Sequence, residues 1–104
     1  MLEKINAILD HFAELERRIA DAGSDYQLMA ELSKERSDLE AVVTAAQGYK
    51  NTLDQIDETE QLANSDSDEL RALADLELED LYAKRDTYER ELKSLLIPTD
   101  PRDA

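Results

Sequence analysis

The sequence predicts an all-α fold: a three-helix antiparallel base from which a two-helix coiled-coil arm protrudes. Three observations lead there. Leu, Ala, Glu, Lys and Arg are abundant, and the 104 residues include only two Gly and two Pro. That composition favours a few long helices over many short elements. Apolar residues recur at steps of three and four, the spacing of a helix seam. Turn formers gather at two places, Gly23–Asp25 and Asn64–Ser67, and divide the chain into three periodic stretches.

The first helix is predicted from about Leu2 to Ala22. Leu2, Ile5, Ile8, Leu9, Phe12, Leu15 and Ile19 share one face of it. Gly23 stands where a helix C-terminal cap belongs, and Ser24 or Asp25 can cap the next helix. The second helix is predicted from about Asp25 to Ala63, roughly 60 Å long. Its seam reads Leu28, Leu32, Glu35, Leu39, Val42, Ala46, Tyr49, Leu53, Ile56, Glu60, Ala63, broken only by the two glutamates. Gly48 is its weak point, costing about 1 kcal/mol against Ala. Asn64-Ser65-Asp66-Ser67 is a turn and cap cluster. The third helix is predicted from about Asp68 to Leu96. Its seam is Arg71, Ala74, Leu78, Leu81, Arg85, Tyr88, Leu92, Leu95, with Leu70, Leu73 and Leu76 beside it. Pro98 and Pro101 end it.

Short turns make sequential helices antiparallel neighbours. Folding about Asn64–Ser67 pairs Leu53 with Leu78, Val43 with Tyr88 and Leu39 with Leu92. It also sets Glu60 against Arg71 and Arg85 against Ala46. Folding about Gly23 brings Phe12 to Glu35, Ile8 to Asp38 and Leu39, and Ile5 to Ala41 and Val42. Helix 1 then reaches only the first half of helix 2, which leaves an arm of roughly residues 46 to 85.

Acids outnumber bases by 26 to 12, for a net charge of -14. Such a surface repels nucleic acid and anionic membrane at long range and suits a basic protein partner. The charge is uneven. Between Asp54 and Asp80 stand eleven acids and one base, Arg71, so this stretch holds -10 of the total. Asp66, Asp68 and Glu69 lie at a helix N-terminus, where anions are favoured. Asp57, Glu58 and Glu60 lie near a helix C-terminus, where they are not. An external cationic partner is one reason for that placement, and a solvated acidic face is the other. The candidate contact residues are Asp54, Asp57, Glu58, Asp66, Asp68 and Glu69.

No chemistry of catalysis is legible. There is no Cys and one His, His11, on the flank of the first apolar stripe, so no nucleophilic triad can be assembled. Two isolated glycines make no phosphate loop. Asn64-Ser-Asp66-Ser-Asp68 begins like a calcium loop, but position six is Glu69 rather than Gly and position twelve is Asp75 rather than Glu. Neither cofactor nor metal is expected. The N-terminal stretch has no long apolar run, so no signal peptide or membrane span is expected either.

Leu32-Ser33-Lys34-Glu35, Leu39, Val42-Val43 and Tyr49-Lys50 resemble the N-terminal domain of bacterial peptide chain release factors. So does the exit Leu95-Leu96-Ile97-Pro98-Thr99-Asp100-Pro101-Arg102-Asp103, which resembles the release factor 1 branch more than the release factor 2 branch. The resemblance is collinear along nearly the whole chain. Two departures are a short loop at Ala22–Asp25 and Ala41 where the family often has Pro. The resemblance implies a helical domain at 1–97 and the start of a linker at 98–104. It implies a cytoplasmic, non-enzymatic part of a termination factor. In the family, a tripeptide motif reads the stop codon and a Gly-Gly-Gln motif triggers hydrolysis, both downstream. Gly-Gly-Gln does not occur in these 104 residues. The implied partners are the ribosome, at its stalk base and GTPase-associated centre, and the recycling GTPase release factor 3.

Two other classes compete. An RNA-binding coiled-coil arm needs Lys and Arg on its exposed faces, which this arm lacks. A generic structural or chaperone-like coiled coil predicts obligate oligomers. The release-factor reading predicts a monomer, or at most a weak dimer.

Overall fold

The computed structural model describes residues 1–97; the expected linker at 98–104 lies outside the described residues. Three helices are present and no strand among the described residues: α1 (Leu2–Asp21), α2 (Tyr26–Leu62) and α3 (Asp68–Leu96). The all-α class and the three helix boundaries match the sequence reading to within a residue. The chain divides into two compact units, Met1–Ala46 and Gln47–Ala104.

In the first unit, α1 buries Ile5 and Leu15 completely, with Ile8, Leu9, Phe12 and Ile19 half-buried on the same face. The chain leaves α1 through Ala22, and Gly23 takes φ +59, the left-handed value that favours glycine. Asp25 is the cap of α2, its carboxylate accepting from the Leu28 N–H at 3.1 Å. The expected pairing of α1 with α2 holds closely. His11 Nε2 lies 2.8 Å from Glu35 Oε1, and Arg36 lies 4.7 Å from the centre of the Phe12 ring. Arg36 also reaches Glu16 at 3.4 Å and Glu40 at 3.1 Å. Glu35, a break in the apolar seam, is therefore an exposed partner for His11 at the edge of the helix pair.

The second unit buries Ile56, Leu78 and Leu81 together, with Ala63 and Tyr82 packed against them. Two seam positions differ from the sequence reading. Thr52 and Thr59 are buried, whereas Leu53 is half-buried and Glu60 exposed. Threonine can occupy a buried helical site because its hydroxyl bonds back into its own helix. The Thr52 hydroxyl donates to the Gly48 carbonyl at 2.8 Å.

The α2–α3 register also differs. The Tyr49 hydroxyl donates to Glu89 at 3.0 Å, the Tyr82 hydroxyl donates to Glu60 at 3.3 Å, and Tyr88 lies against Gly48. Partners on α3 thus lie about one and a half to three helical turns further along than the turn-centred pairing allowed. Glu60 meets Tyr82 rather than Arg71. One cause is side-chain direction: each helical side chain leans toward its own N-terminus, so antiparallel residues that touch carry higher numbers than those level with each other. Burial raises the Tyr49 hydroxyl above its ordinary pKa, and its bond to the Glu89 carboxylate adds to the effect.

Candidate partner-binding surface

The acidic residues are held by a tight turn. The Asn64 N–H donates to Gln61 O at 3.2 Å and the Ser65 N–H to Leu62 O at 3.0 Å, which closes α2. The Ser65 hydroxyl accepts from the Ser67 N–H at 3.1 Å, and the Ser67 hydroxyl accepts from the Leu70 N–H at 3.3 Å. Ser67 is therefore the N-cap of α3. Two serines satisfy backbone donors that would otherwise be orphaned at the helix start.

Arg71, half-buried, fastens this turn. One guanidinium nitrogen donates to the Ser65 carbonyl at 2.7 Å, and the other pairs with Asp68. The lone base of the acidic stretch is thus committed to its own loop, and it occupies the neighbourhood where the calcium-like spacing would have wanted a cation. No group of three or more His, Asp or Glu among the described residues could hold a metal ion. Asp68 is largely exposed, so its ion pair contributes little; the carbonyl contact contributes more. Arg71→Lys keeps the charge but cannot serve carbonyl and carboxylate with one planar fork. It is expected to cost about 0.5–1 kcal/mol of local stability. Amide exchange at Ser67 and Leu70 should then quicken about two- to fivefold. Unchanged exchange would show that the guanidinium does not hold the turn.

The six candidate contact residues are all exposed. Asp54, Asp57 and Glu58 follow each other on α2 on the side away from the buried Ile56 and Thr59. Asp66 lies in the turn, and Asp68 and Glu69 form the first turn of α3. Both sets border one turn of chain, so the fold brings them to the same end of the second unit. Only Asp68 has an internal cation; among the described residues the other five make no ion pair. The last turn of α2 contains no basic residue, so Asp57 and Glu58 stand uncompensated near the negative end of the helix dipole.

Sequence reasoning placed Leu70, Leu73 and Leu76 beside the α3 seam, and the structure leaves all three exposed. The signal was in the spacing. Steps of three, repeated, drift round a helix by about 60° each time, away from a seam that alternates three and four.

The PCRF domain model matches residues 8–104 of this chain. The chain belongs to the PCRF domain family. Its relatives include proteins named peptide chain release factor 1 from Brevibacillus brevis and Clostridioides difficile, each 37% identical over 106 residues. The protein of the same name from Clostridium botulinum is 35% identical over 106 residues. Each alignment covers 99% of this chain, and the PCRF-domain chain spans 30% of the length of each relative. No solved structure matches it at comparable significance. The family resemblance read from Leu32–Glu35 and the Leu95–Asp103 exit is borne out.

Proposed function

We propose that this chain is the N-terminal helical domain of a class I release factor and serves translation termination by positioning the factor on the ribosome. The observation that carries the reading is the alignment: nearly the whole chain matches release factor 1 proteins over less than a third of their length. The chemistry of stop-codon reading and peptidyl-tRNA hydrolysis then belongs to the remaining two-thirds, and this domain is non-enzymatic. Its work is cytoplasmic, at the ribosomal stalk base and GTPase-associated centre, with release factor 3 as a further partner. The five acids with no internal ion pair favour a basic protein surface over RNA at that place. The isolated domain is a monomer or a weak dimer.

The test uses the full-length factor. Asp54→Lys, Asp57→Lys, Glu58→Lys and Asp66→Lys, combined, are expected to weaken ribosome association at least tenfold at low salt. The difference should shrink as salt screens the charges. Peptide release driven by saturating factor should be unaffected, because the reacting groups lie elsewhere. Unchanged affinity at low salt would overturn the positioning role of the acidic end.

A further inference from the structure

The outward side of α3 carries a feature that the acidic end does not explain. Leu73 and Leu76 are 63% and 64% exposed, on a helix whose opposite side buries Ala74, Leu78 and Leu81. Glu69, Leu73, Leu76 and Asp80 fall at i, i+4, i+7 and i+11, which is one continuous stripe along a helix. The two leucines are its middle and the two acids its ends. Glu77 flanks Leu73 one turn on, and Glu79 flanks Leu76. All four acids are exposed, and among the described residues none of their carboxylates makes an ion pair or hydrogen bond.

We propose that this stripe is a docking face for an amphipathic helix of a partner protein, one with an apolar ridge bordered by Lys and Arg. The inference goes beyond the positioning role above, because its face shares only Glu69 with the acidic end, is centred on the two leucines and needs no ribosome. Two adjacent exposed leucines lose free energy to water and regain it under an apolar ridge. The carboxylate border selects the ridge's neighbours. The nearest bases offset it only in part: Arg71 is engaged in the turn, and Lys84, one turn beyond Asp80, is a single charge against four acids. A second copy of this chain would bring its own Glu69, Glu77, Glu79 and Asp80 against the same four, so like charges oppose self-pairing. An anionic lipid surface or nucleic acid is opposed for the same reason. A cationic amphipathic helix satisfies the leucines and the acids together.

The test uses the 104-residue chain and a synthetic probe. The probe is a helical peptide with Leu at i, i+3, i+4 and i+7 and Lys at the bordering positions, followed by fluorescence anisotropy. A control peptide has the same Lys and replaces every Leu with Ser. The leucine peptide is expected to bind at least tenfold tighter than the control. Leu73→Ser with Leu76→Ser should remove that preference, and both sites are exposed enough to leave the helical circular dichroism unchanged. Glu77→Gln with Asp80→Asn should weaken binding several-fold, and less so at high salt. Asp54→Lys with Asp57→Lys should leave the leucine preference in place, which separates this face from the acidic end. Equal binding of both peptides overturns the proposal, as it reports charge alone. Sedimentation equilibrium supplies the remaining outcome: a dimer abolished by the double serine variant would identify a second copy as the occupant and overturn the cationic partner.

Discussion

Leu81→Ala is expected to destabilise the chain by about 3 kcal/mol, the usual cost of truncating a buried leucine to its Cβ. Leu81 is 7% exposed and packs with Ile56 and Leu78, with Ala63 and Tyr82 at the margin. Removing three carbons leaves a hole between two helices that are joined by a five-residue turn, so collapse around it is restricted. The small gain in helix propensity from Ala does not offset this. Leu73→Ala is the internal control. It lies on the same helix, loses the same atoms, and is 63% exposed, so it should change stability by no more than about 0.5 kcal/mol. Urea denaturation followed by helical circular dichroism gives both values. Equal losses at the two positions would mean that α3 is rotated relative to α2 from the arrangement described.

That comparison also shows what periodicity can and cannot reveal. The helices were legible because caps and seams agreed: Gly23, Asp25 and Ser67 all act as their positions suggested. The 3.5-residue spacing identified Leu78 and Leu81 as core. On α2, Leu32, Val42, Ala46, Tyr49 and Ile56 are buried as expected. The spacing misses two α2 seam positions, Thr52 and Thr59, since apolar character is the only guide and threonine looks polar. Their hydroxyls do not disqualify them in a helix, where a carbonyl four residues back can accept. The turn's midpoint does not fix the register, because long side chains such as Tyr49, Tyr82 and Glu89 lean and reach. The acidic residues were found correctly as exposed, because charge density is a property of the sequence itself. Whether those acids or the leucines of α3 meet a partner is not a local property.

Gly48 is the residue whose meaning changes most. By propensity alone, Gly48→Ala should stabilise α2 by about 1 kcal/mol. The structure predicts the opposite sign. A Cβ placed at Gly48 would lie 2.7 Å from Tyr88 Cε1 and closer still to the end of that ring. The glycine lets the Tyr88 ring lie directly on the α2 backbone. Moving the ring aside forfeits that packing, a typical overpacking cost of about 1–3 kcal/mol. Gly48→Ala is therefore expected to destabilise the chain by about 1 kcal/mol after the propensity gain is credited. A double-mutant cycle isolates the cause. In a Tyr88→Ala background there is no ring to displace, and the same Gly48→Ala change should now stabilise by about 1 kcal/mol. The coupling of about 2 kcal/mol between the two positions is within the range found for residues in direct contact. A change of sign between backgrounds assigns the glycine to ring packing. A stabilising Gly48→Ala in both would mean that Tyr88 swings away freely and that the glycine serves no contact.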